Sequence, residues 1–226
     1  MSVELTAITQ PLVFEKGNRI SPEEYVAFIA RIGKVKDNPA KLIRYLLKNQ
    51  HWSPFEHVYL TFQVKTTRAI AAQMLRHRSF TFQELSQRYE EIVEILPTEL
   101  RAQAVNNRQS STDVIDPIIE IHWSDKDIEK ALASELVNWI KMQSMMVYQK
   151  LIEAGVAREC ARDILPLCSA TTILMTGNVR SWIHYLAIRD HGHAQKEHQK
   201  IAQKIKKIFC EKFPIIAEIN YNEESL

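Results

Sequence analysis

The sequence predicts an α+β fold that is mostly helical, with a small, mainly antiparallel sheet, in one domain over residues 1–226. Three observations support this prediction: repeated helix-start signals, two stretches with strand-like composition, and a length that suits one hydrophobic core. The first two helices each begin with a capping residue followed by proline, Ser21 with Pro22 and Asn38 with Pro39. The first of them also has the glutamate that completes a capping box.

Two stretches predict the sheet. Residues 57–65 alternate between apolar and mostly polar side chains, which is typical of a strand with one buried face. The apolar face holds Val58, Leu60, Phe62 and Val64. Residues 169–176 are rich in β-branched side chains and indicate a second strand. We therefore expect both stretches in one small sheet.

The first strand leads into a predicted helix that starts at Thr67 and ends near Arg78. The side chains expected to face inward are Ala69, Ile70, Ala72, Met74 and Leu75. Residues 90–126 are less regular, and residues 103–113 form the best candidate for a mobile loop.

Apolar residues at helical spacing predict a long helix from Ser124 or Asp125 to a stop at Gly155. This apolar set is Ile128, Ala131, Leu132, Leu136, Ile140, Met145 and Met146. Three more helices are expected after it, over residues 157–165, 178–190 and 194–213.

The composition of the chain excludes some classes of protein. The chain has 29 basic and 27 acidic residues, which excludes a broad basic surface for nucleic acid. No apolar run approaches the ~20 residues of a membrane span, and the start has no pattern of a secretory signal. The three cysteines form no CxxC motif and suit a reducing cytoplasm, with Cys160 and Cys168 as inert core thiols.

The stretch RHRSFTFQELSQRY, residues 76–89, is unusually rich in arginine. A helix C-terminus favours cations, which by itself would account for the first three residues of the stretch. It does not account for Glu84, Ser86 and Arg88, which share one side if the chain is extended there. An arginine and a hydroxyl group together bind phosphate well through hydrogen bonds, so this stretch predicts an anionic ligand.

A second cluster lies in residues 178–193, where helical spacing brings Arg180, His184 and Arg189 near one face. The core face of this helix is expected to hold Trp182, Ile183 and Leu186.

Other histidines have ordinary interpretations. His191, His193, Glu197 and His198 lack the spacing of a metal site, so no metal is predicted. His51 and His57 could each be packed histidines. The sequence also lacks GxGxxG, the P-loop motif and the GxSxG motif of serine nucleophiles.

The arginine-rich stretch closely resembles the signature of flavin-dependent thymidylate synthases: RHR, seven residues, then Ser-x-Arg. Three further blocks are similar in the same order: HWSPFEH, ARECARDILPL and NVRSWIHYLAIRDHGHAQ. The resemblance covers roughly residues 38–212 and implies the fold of that family. It also implies conversion of dUMP to dTMP with FAD as hydride carrier, methylenetetrahydrofolate as carbon donor and NADPH as reductant. The implied assembly is a homotetramer with shared active sites, and neither nucleic acid nor a membrane is an implied partner.

The resemblance also implies roles for individual residues. The FAD-binding residues would be Ser53, Arg76, His77, Arg78, Glu84, Asn178, Arg180 and His184. The dUMP-binding residues would be Gln73, Glu84, Ser86, Gln87, Arg88, Arg162 and Arg189. Two residues would be catalytic: Arg189, which binds the uracil and favours ionisation of its ring N–H, and His51, near the flavin ring and the folate. His193 is similar to a further active-site histidine.

Five positions depart from the family's pattern. They are Gly33 in place of serine, Thr81 in place of serine, Gln83 in place of asparagine, Gln87 in place of glycine or a small residue, and His184 in place of asparagine. These departures leave open an inactive homologue that binds flavin and nucleotide.

Another alternative is a module that binds single-stranded nucleic acid through arginines interleaved with aromatic residues. It would use Arg76, Arg78, Arg88, Phe80, Phe82 and Tyr89.

Overall fold

The secondary structure comes from a computed structural model, which describes residues 1–33, 38–107, 110–124 and 127–221. The helices are α1 (Pro22–Ala30), α2 (Pro39–Lys48), α3 (Arg68–Met74), α4 (Ala133–Glu153), α5 (Arg158–Ala161), α6 (Val179–Arg189), α7 (Lys196–Lys212) and α8 (Pro214–Tyr221). Short 3₁₀ helices span Ser53–His57 and Arg162–Ile164. The strands are β1 (Ser2–Ile8), β2 (Phe14–Glu15), β3 (Asn18–Arg19), β4 (Tyr59–Thr67), β5 (Thr81–Glu84), β6 (Arg101–Gln103), β7 (Ser111–Val114), β8 (Ile118–Ser124), β9 (Asp127–Leu132) and β10 (Ala170–Asn178). The α+β prediction is confirmed.

The chain forms two compact units. Unit 1 comprises Met1–Lys65, Gln73–Gln83 and Thr172–Leu226, and unit 2 comprises Thr66–Ala72 and Glu84–Thr171. Within the described ranges, no helix has the length and apolar character needed to cross a membrane.

The main sheet has the strand order β1-β4-β10-β5, so the two strands expected from the sequence are neighbours. β1, which the sequence analysis did not predict, pairs antiparallel with β4. The alternation in β4 is confirmed because Val58, Leu60, Phe62 and Val64 are all fully buried. The pleat of the strand places these alternate side chains on one face.

Both helix-start signals are confirmed. The Ser21 side chain accepts the Glu24 N–H, and the Glu24 carboxylate accepts the Ser21 N–H, which completes the capping box of α1. Asn38 accepts the Lys41 N–H at the start of α2. Each cap satisfies a backbone donor that the first turn of a helix leaves unpaired.

An aromatic cluster in unit 1 fixes the position of the turn at the start of the arginine-rich stretch. The Trp182 ring lies 4.9 Å from Phe62 and 4.6 Å from Phe80, between ring centroids. Its indole N–H donates to the Gly177 carbonyl at 3.1 Å. Phe80 packs so closely on β10 that a Cβ at Gly177 would lie 2.4 Å from its ring. The glycine therefore permits Phe80 to hold the preceding turn against this cluster.

The predicted helix end near Arg78 is wrong, because α3 ends at Met74. The chain then turns, with the N–H of His77 donating to the Met74 carbonyl at 3.0 Å. The inward face also differs: Ala71 is buried, whereas Ala72 and Leu75 are exposed. A short helix of seven residues buries only the one stripe that faces its neighbours.

Unit 2 has its own small core. Ile92, Tyr148 and Ala161 are buried, and the Tyr148 hydroxyl accepts the Ile92 N–H at 3.3 Å. The N–H of Leu96 donates to the Cys168 carbonyl at 2.9 Å, which joins the segment after the arginine-rich stretch to the start of β10.

Residues 90–126 contain more regular structure than the sequence suggested. β6 pairs with β7 and β8 pairs with β9, both antiparallel. The candidate loop 103–113 overlaps the end of β6 and most of β7, and its residues 108–109 lie outside the described residues.

The predicted start of the long helix at Ser124 or Asp125 is also wrong. Ser124 ends β8, Asp125 lies outside the described residues, and α4 begins at Ala133. Residues 127–132 instead pair with β8, so hairpin pairing overrides their helical spacing. Three residues of the predicted apolar face, Leu132, Ile140 and Met146, are exposed. The predicted stop is confirmed, with Gly155 at a φ of +83°.

We expect Gly177→Ala to lower the free energy of unfolding by about 1–3 kcal/mol, because the added methyl group must displace the Phe80 ring. Urea unfolding followed by tryptophan fluorescence measures this loss. Gly192→Ala is the matched control, since a Cβ there meets nothing within 4 Å. Equal stability of the two variants would contradict the packing argument.

Candidate functional site

A cavity of about 720 Å³ opens in unit 1 beside the start of α6. It is lined by Trp52, Glu56, Ser79, Asn178, Arg180, Ser181, Ile183, His184 and Ala187. Three of these, Asn178, Arg180 and His184, belong to the predicted FAD set. Asn178 also caps α6 by accepting the Ser181 N–H at 2.9 Å. The cap explains why this asparagine stands where the strand gives way to the helix.

The cavity lining fits a large, flat, anionic cofactor. Trp52 and Ile183 supply apolar surface, while Arg180 and the Ser79 hydroxyl supply donors for phosphate. The volume lies within the ~300–1,000 Å³ typical of cofactor sites. Arg180 forms an ion pair with Glu56, which holds its guanidinium at the cavity wall.

Trp52, Glu56 and Ser79 line the cavity but are not among the site residues predicted from the sequence. Trp52 and Glu56 lie in the HWSPFEH block, and Ser79 follows RHR directly, so the signal was present in the blocks themselves.

A second cavity of unit 1, of about 440 Å³, brings together two of the predicted residues, His51 and Ser53. His57 also lines it, together with Ile29, Ala30, Ile32, Leu46 and Pro54. Both histidines are exposed, so the packed-histidine interpretation is wrong for them.

Gly33 has a backbone reason to replace serine. Its φ is +84°, and its N–H donates to the Phe28 carbonyl at 3.2 Å at the end of α1. This left-handed conformation is one that side chains with a Cβ rarely adopt.

Two predicted residues from different blocks meet in unit 1. The Arg189 Nε–H donates to His77 Nε2 at 2.8 Å. The His77 ring packs edge-on against Tyr185 with 4.9 Å between centroids. Because Nε2 accepts this bond, the imidazole is neutral and carries its proton on Nδ1. Neither residue lines the 720 Å³ cavity.

The predicted substrate residue Gln73 is tied to a buried histidine of α7. Its amide oxygen lies 3.2 Å from His198 Nδ1, and its amide nitrogen donates to Gln195 at 2.6 Å. His198 Nε2 lies 3.0 Å from the Tyr185 hydroxyl. His198 is not among the site residues predicted from the sequence, where it entered only as a rejected metal ligand.

Arg76 and Arg78 lie exposed in the turn after α3 and do not line the 720 Å³ cavity. Their explanation as residues of a helical last turn is wrong, because the helix ends before them. His193 is also exposed, and its ring stacks on His191 at 4.9 Å.

Unit 2 contains the residues predicted to bind phosphate. Arg88 forms an ion pair with Glu159 at 2.8 Å, and Arg162 donates to the backbone carbonyl of Glu159 at 3.3 Å. The Ser86 hydroxyl accepts the backbone N–H of Arg88 at 3.3 Å. Gln87 is buried, and its amide nitrogen has no hydrogen-bond partner among the residues that the structure describes.

The prediction of an extended chain from Glu84 to Arg88 is wrong at its C-terminal end. The N–H groups of Tyr89 and Glu90 both donate to the Ser86 carbonyl, so the chain turns at Arg88. A hydroxyl that bonds to the backbone two residues later favours such a turn.

Glu84 is the half-buried carboxylate of the arginine-rich stretch. It accepts from Arg68 at 2.5 Å and from the Thr171 hydroxyl at 2.9 Å. Arg68, which the sequence analysis did not single out, therefore neutralises the charge of Glu84.

Within the described part of the chain, no three His, Cys, Asp or Glu side chains are grouped so that they could hold a metal ion. Cys160 is exposed and Cys168 half-buried, so the prediction of two core thiols is wrong for Cys160. The short helix α5 buries Ala161 in preference to its cysteine.

Two histidines of unit 1 are held neutral. Burial lowers the pKa of His77 to about 4, with Arg189 and then His184 as further causes. Burial also lowers the pKa of His198 to about 3, with Arg189 and then His77 as further causes. A cation and a low dielectric both disfavour an imidazolium.

We expect stability to fall as the pH falls from about 6.5 to about 4. In this window the unfolded chain binds protons at His77 and His198 that the folded chain does not bind. Each histidine contributes up to about 1.4 kcal/mol per pH unit. Urea unfolding at several pH values should show a shallower slope for His198→Asn than for the natural protein. His57→Asn, at an exposed position, is the control, and identical slopes in both variants would contradict the argument.

Comparison with known proteins agrees with the resemblance. The sequence profile of the family "Thymidylate synthase complementing protein" matches residues 15–215. The chain is 41% identical over 224 residues to the probable flavin-dependent thymidylate synthase of Paramecium bursaria Chlorella virus 1, covering 96% of this chain and 98% of the relative. It is 41% identical over 220 residues to the flavin-dependent thymidylate synthase of Synechocystis sp., with the same coverage. It is also 40% identical over 183 residues to that of Thermosipho melanesiensis, covering 80% of this chain and 76% of the relative.

The match spans all four sequence blocks and both arginine clusters, and it confirms the family that the arginine-rich stretch indicated. The chain belongs to the thymidylate synthase complementing protein family, whose similar members are flavin-dependent thymidylate synthases.

Proposed function

We propose that this protein is a flavin-dependent thymidylate synthase that converts dUMP to dTMP. Methylenetetrahydrofolate is the carbon donor, FAD the hydride carrier and NADPH the reductant. The main support is membership of this family. In addition, the described residues include Arg180 at a cavity that suits a cofactor and Arg88 at a position that suits a nucleotide.

FAD would be held in the 720 Å³ cavity by Asn178, Arg180 and His184, with Ser79 as an added donor. When bound, it supplies hydride transfer, which side chains cannot perform. The protein supplies position and charge: Arg180 offers a planar fork of donors for the pyrophosphate, and Trp52 offers apolar surface. Ser53, Arg76, His77, Arg78 and Glu84 complete the proposed FAD-binding set.

The dUMP phosphate would be held by Ser86, Arg88 and Arg162. Arg88 already binds a carboxylate, that of Glu159, and this ion pair supports a role for its guanidinium in binding an anion. Both partners of this ion pair are more than half exposed, so the pair is weak and a phosphate can replace the carboxylate. The buried amide nitrogen of Gln87 is a donor that a substrate oxygen would satisfy.

The uracil would be bound by Arg189 and Gln73. The bond to His77 occupies Arg189 Nε, which leaves the planar end of the guanidinium for the ring. A cation beside the ring favours loss of its N–H proton, as opposite charge favours any ionised form. The electron-rich ring then attacks the electrophilic one-carbon unit more readily. Glu84 would lie between the two ligands.

Serine does not act as nucleophile in this proposal. The Ser86 hydroxyl accepts the N–H of Arg88 and keeps its own O–H to donate to the phosphate, so it is a phosphate-binding group within the turn that presents the arginine. His51 would serve the folate and the flavin ring from the 440 Å³ cavity.

We also propose the fold of this family as one functional domain over 1–226, a cytoplasmic location and a homotetramer with shared active sites. The assembly is supported by an exposed apolar set on α4, defined as Trp139, Ile140, Met142, Met146 and Val147. These side chains are 43% to 70% exposed, and apolar surface of this kind is typical of contacts between subunits. The cysteines, which form no CxxC motif, suit a reducing compartment.

No observation favours the two alternatives. A nucleic-acid module needs several exposed aromatic rings for base stacking, but only Tyr89 of its three candidates is exposed. Phe82 is half-buried, and Phe80 is 8% exposed and packed on Trp182. For an inactive homologue, the Gly33 departure has a backbone cause that leaves the site residues in place.

The experiment that tests the proposal is turnover by the purified protein. We expect a flavin absorption spectrum that shifts on addition of dUMP, and dTMP formation that requires methylenetetrahydrofolate and NADPH. Product measured by chromatography decides the activity. A protein that takes up no FAD and forms no dTMP would overturn the proposed function.

We expect Arg189→Ala to retain flavin but lose at least about a hundredfold in dTMP formation, since it removes charge stabilisation of the uracil. Arg44→Ala is the control, because Arg44 forms an exposed ion pair with Glu218 outside the proposed site. Normal turnover in Arg189→Ala would refute the assigned role.

We expect light scattering to give four times the 26.2 kDa chain mass. Met142→Lys should lower this mass, because it places a charge in the exposed apolar set of α4. Gln149→Lys adds the same charge elsewhere on the helix and should leave the mass unchanged. A monomeric natural protein would contradict the assembly.

A further inference from the structure

We propose that His198 is a positioning residue that fixes the orientation of the Gln73 amide through a one-directional chain of hydrogen bonds. The inference rests on the proposed function, because it assigns Gln73 to the binding of dUMP. All members of the chain lie in unit 1.

The chain has four hydrogen bonds. The Tyr185 hydroxyl lies 3.0 Å from His198 Nε2, and His198 Nδ1 lies 3.2 Å from the Gln73 amide oxygen. The Gln73 amide nitrogen lies 2.6 Å from the Gln195 amide oxygen. The Gln195 amide nitrogen lies 2.9 Å from the Glu197 carboxylate.

The carboxylate of Glu197 sets the direction of every bond. An ionised carboxylate only accepts, so Gln195 must turn its NH₂ group towards it. The Gln195 oxygen then faces Gln73, which must present its own NH₂ group in return. The Gln73 oxygen is left facing His198, so the donor in that bond is His198 Nδ1–H.

Burial leaves one protonation state for His198. Its side chain is fully buried, as is that of Tyr185, and the nearby Arg189 disfavours an imidazolium. A neutral ring with its proton on Nδ1 has a bare Nε2, which accepts from the Tyr185 O–H. The tautomer is therefore determined from both sides of the ring.

The hydrogen-bond chain also fixes the donor and acceptor that Gln73 presents to a ligand. A glutamine amide can rotate by 180° and exchange its donor and acceptor ends at little cost. The chain removes this freedom, so Gln73 keeps one remaining N–H and one oxygen lone pair in fixed directions. A nucleotide base then meets a preformed pattern, which avoids the ordering cost of binding.

The first test is the tautomer of His198, measured by ¹⁵N NMR on the purified protein at pH 7. The inference requires the proton on Nδ1. A proton on Nε2, or a charged ring, would overturn the chain, and this measurement does not depend on dUMP or on activity.

The second test compares two substitutions that each keep one half of the histidine. In His198→Asn the amide reaches the position of Nδ1 and can still donate to Gln73. In His198→Gln the amide reaches the position of Nε2 and keeps only the bond to Tyr185. We expect the Kd of dUMP, from the flavin spectral shift, to rise about tenfold in His198→Gln and to stay within about threefold in His198→Asn.

The outcomes separate the inference from the proposed function. Equal dUMP affinity in the two variants would overturn the positioning role, even with a normal natural enzyme. Failure of the natural protein to bind dUMP would overturn the proposed function and the ligand assigned to Gln73. In that case the NMR tautomer still decides whether His198 orients the amide.

Discussion

The packing of Phe80 and Trp182 over Gly177 is the constraint on which the arrangement of unit 1 depends. Phe80 follows the RHR turn, and Trp182 lies in the first turns of α6. Their contact therefore fixes the RHR turn beside α6. The bond from Arg189 to His77 joins the same two segments further along. The RHR turn and α6, whose contacting residues His77 and Arg189 are 112 positions apart in sequence, thus lie side by side in unit 1. Close-packed interiors transmit such constraints because a ring has few alternative positions.

Charge compensation within the chain is the second theme. Three arginines near the proposed ligands pair with carboxylates: Arg68 with Glu84, Arg88 with Glu159, and Arg180 with Glu56. The pairs of Arg88 and Arg180 are exposed and contribute little, about 0–1 kcal/mol each. They keep the guanidinium groups oriented, and an anionic ligand can exchange with the carboxylates. The pair of Arg68 is better protected, because the Glu84 carboxylate also accepts from Thr171.

The histidines of unit 1 divide by burial. His51, His57 and His184 are exposed at the two cavities, where they can meet ligands. His77 and His198 are kept neutral by burial and by Arg189, so they serve as fixed hydrogen-bond partners. A buried neutral ring orients its neighbours without adding charge to a site already rich in arginine.

The sequence by itself determined the family, the capped helices and the strand beginning near Val58. These follow from local patterns: caps, the period of two in β4, and the spacing of the signature. Only the tertiary structure decided that α3 ends at Met74, that residues 127–132 pair as a strand, and that His198 contacts Gln73. Each of these depends on partners distant in sequence, and such pairing outweighs local propensities of a few tenths of a kcal/mol.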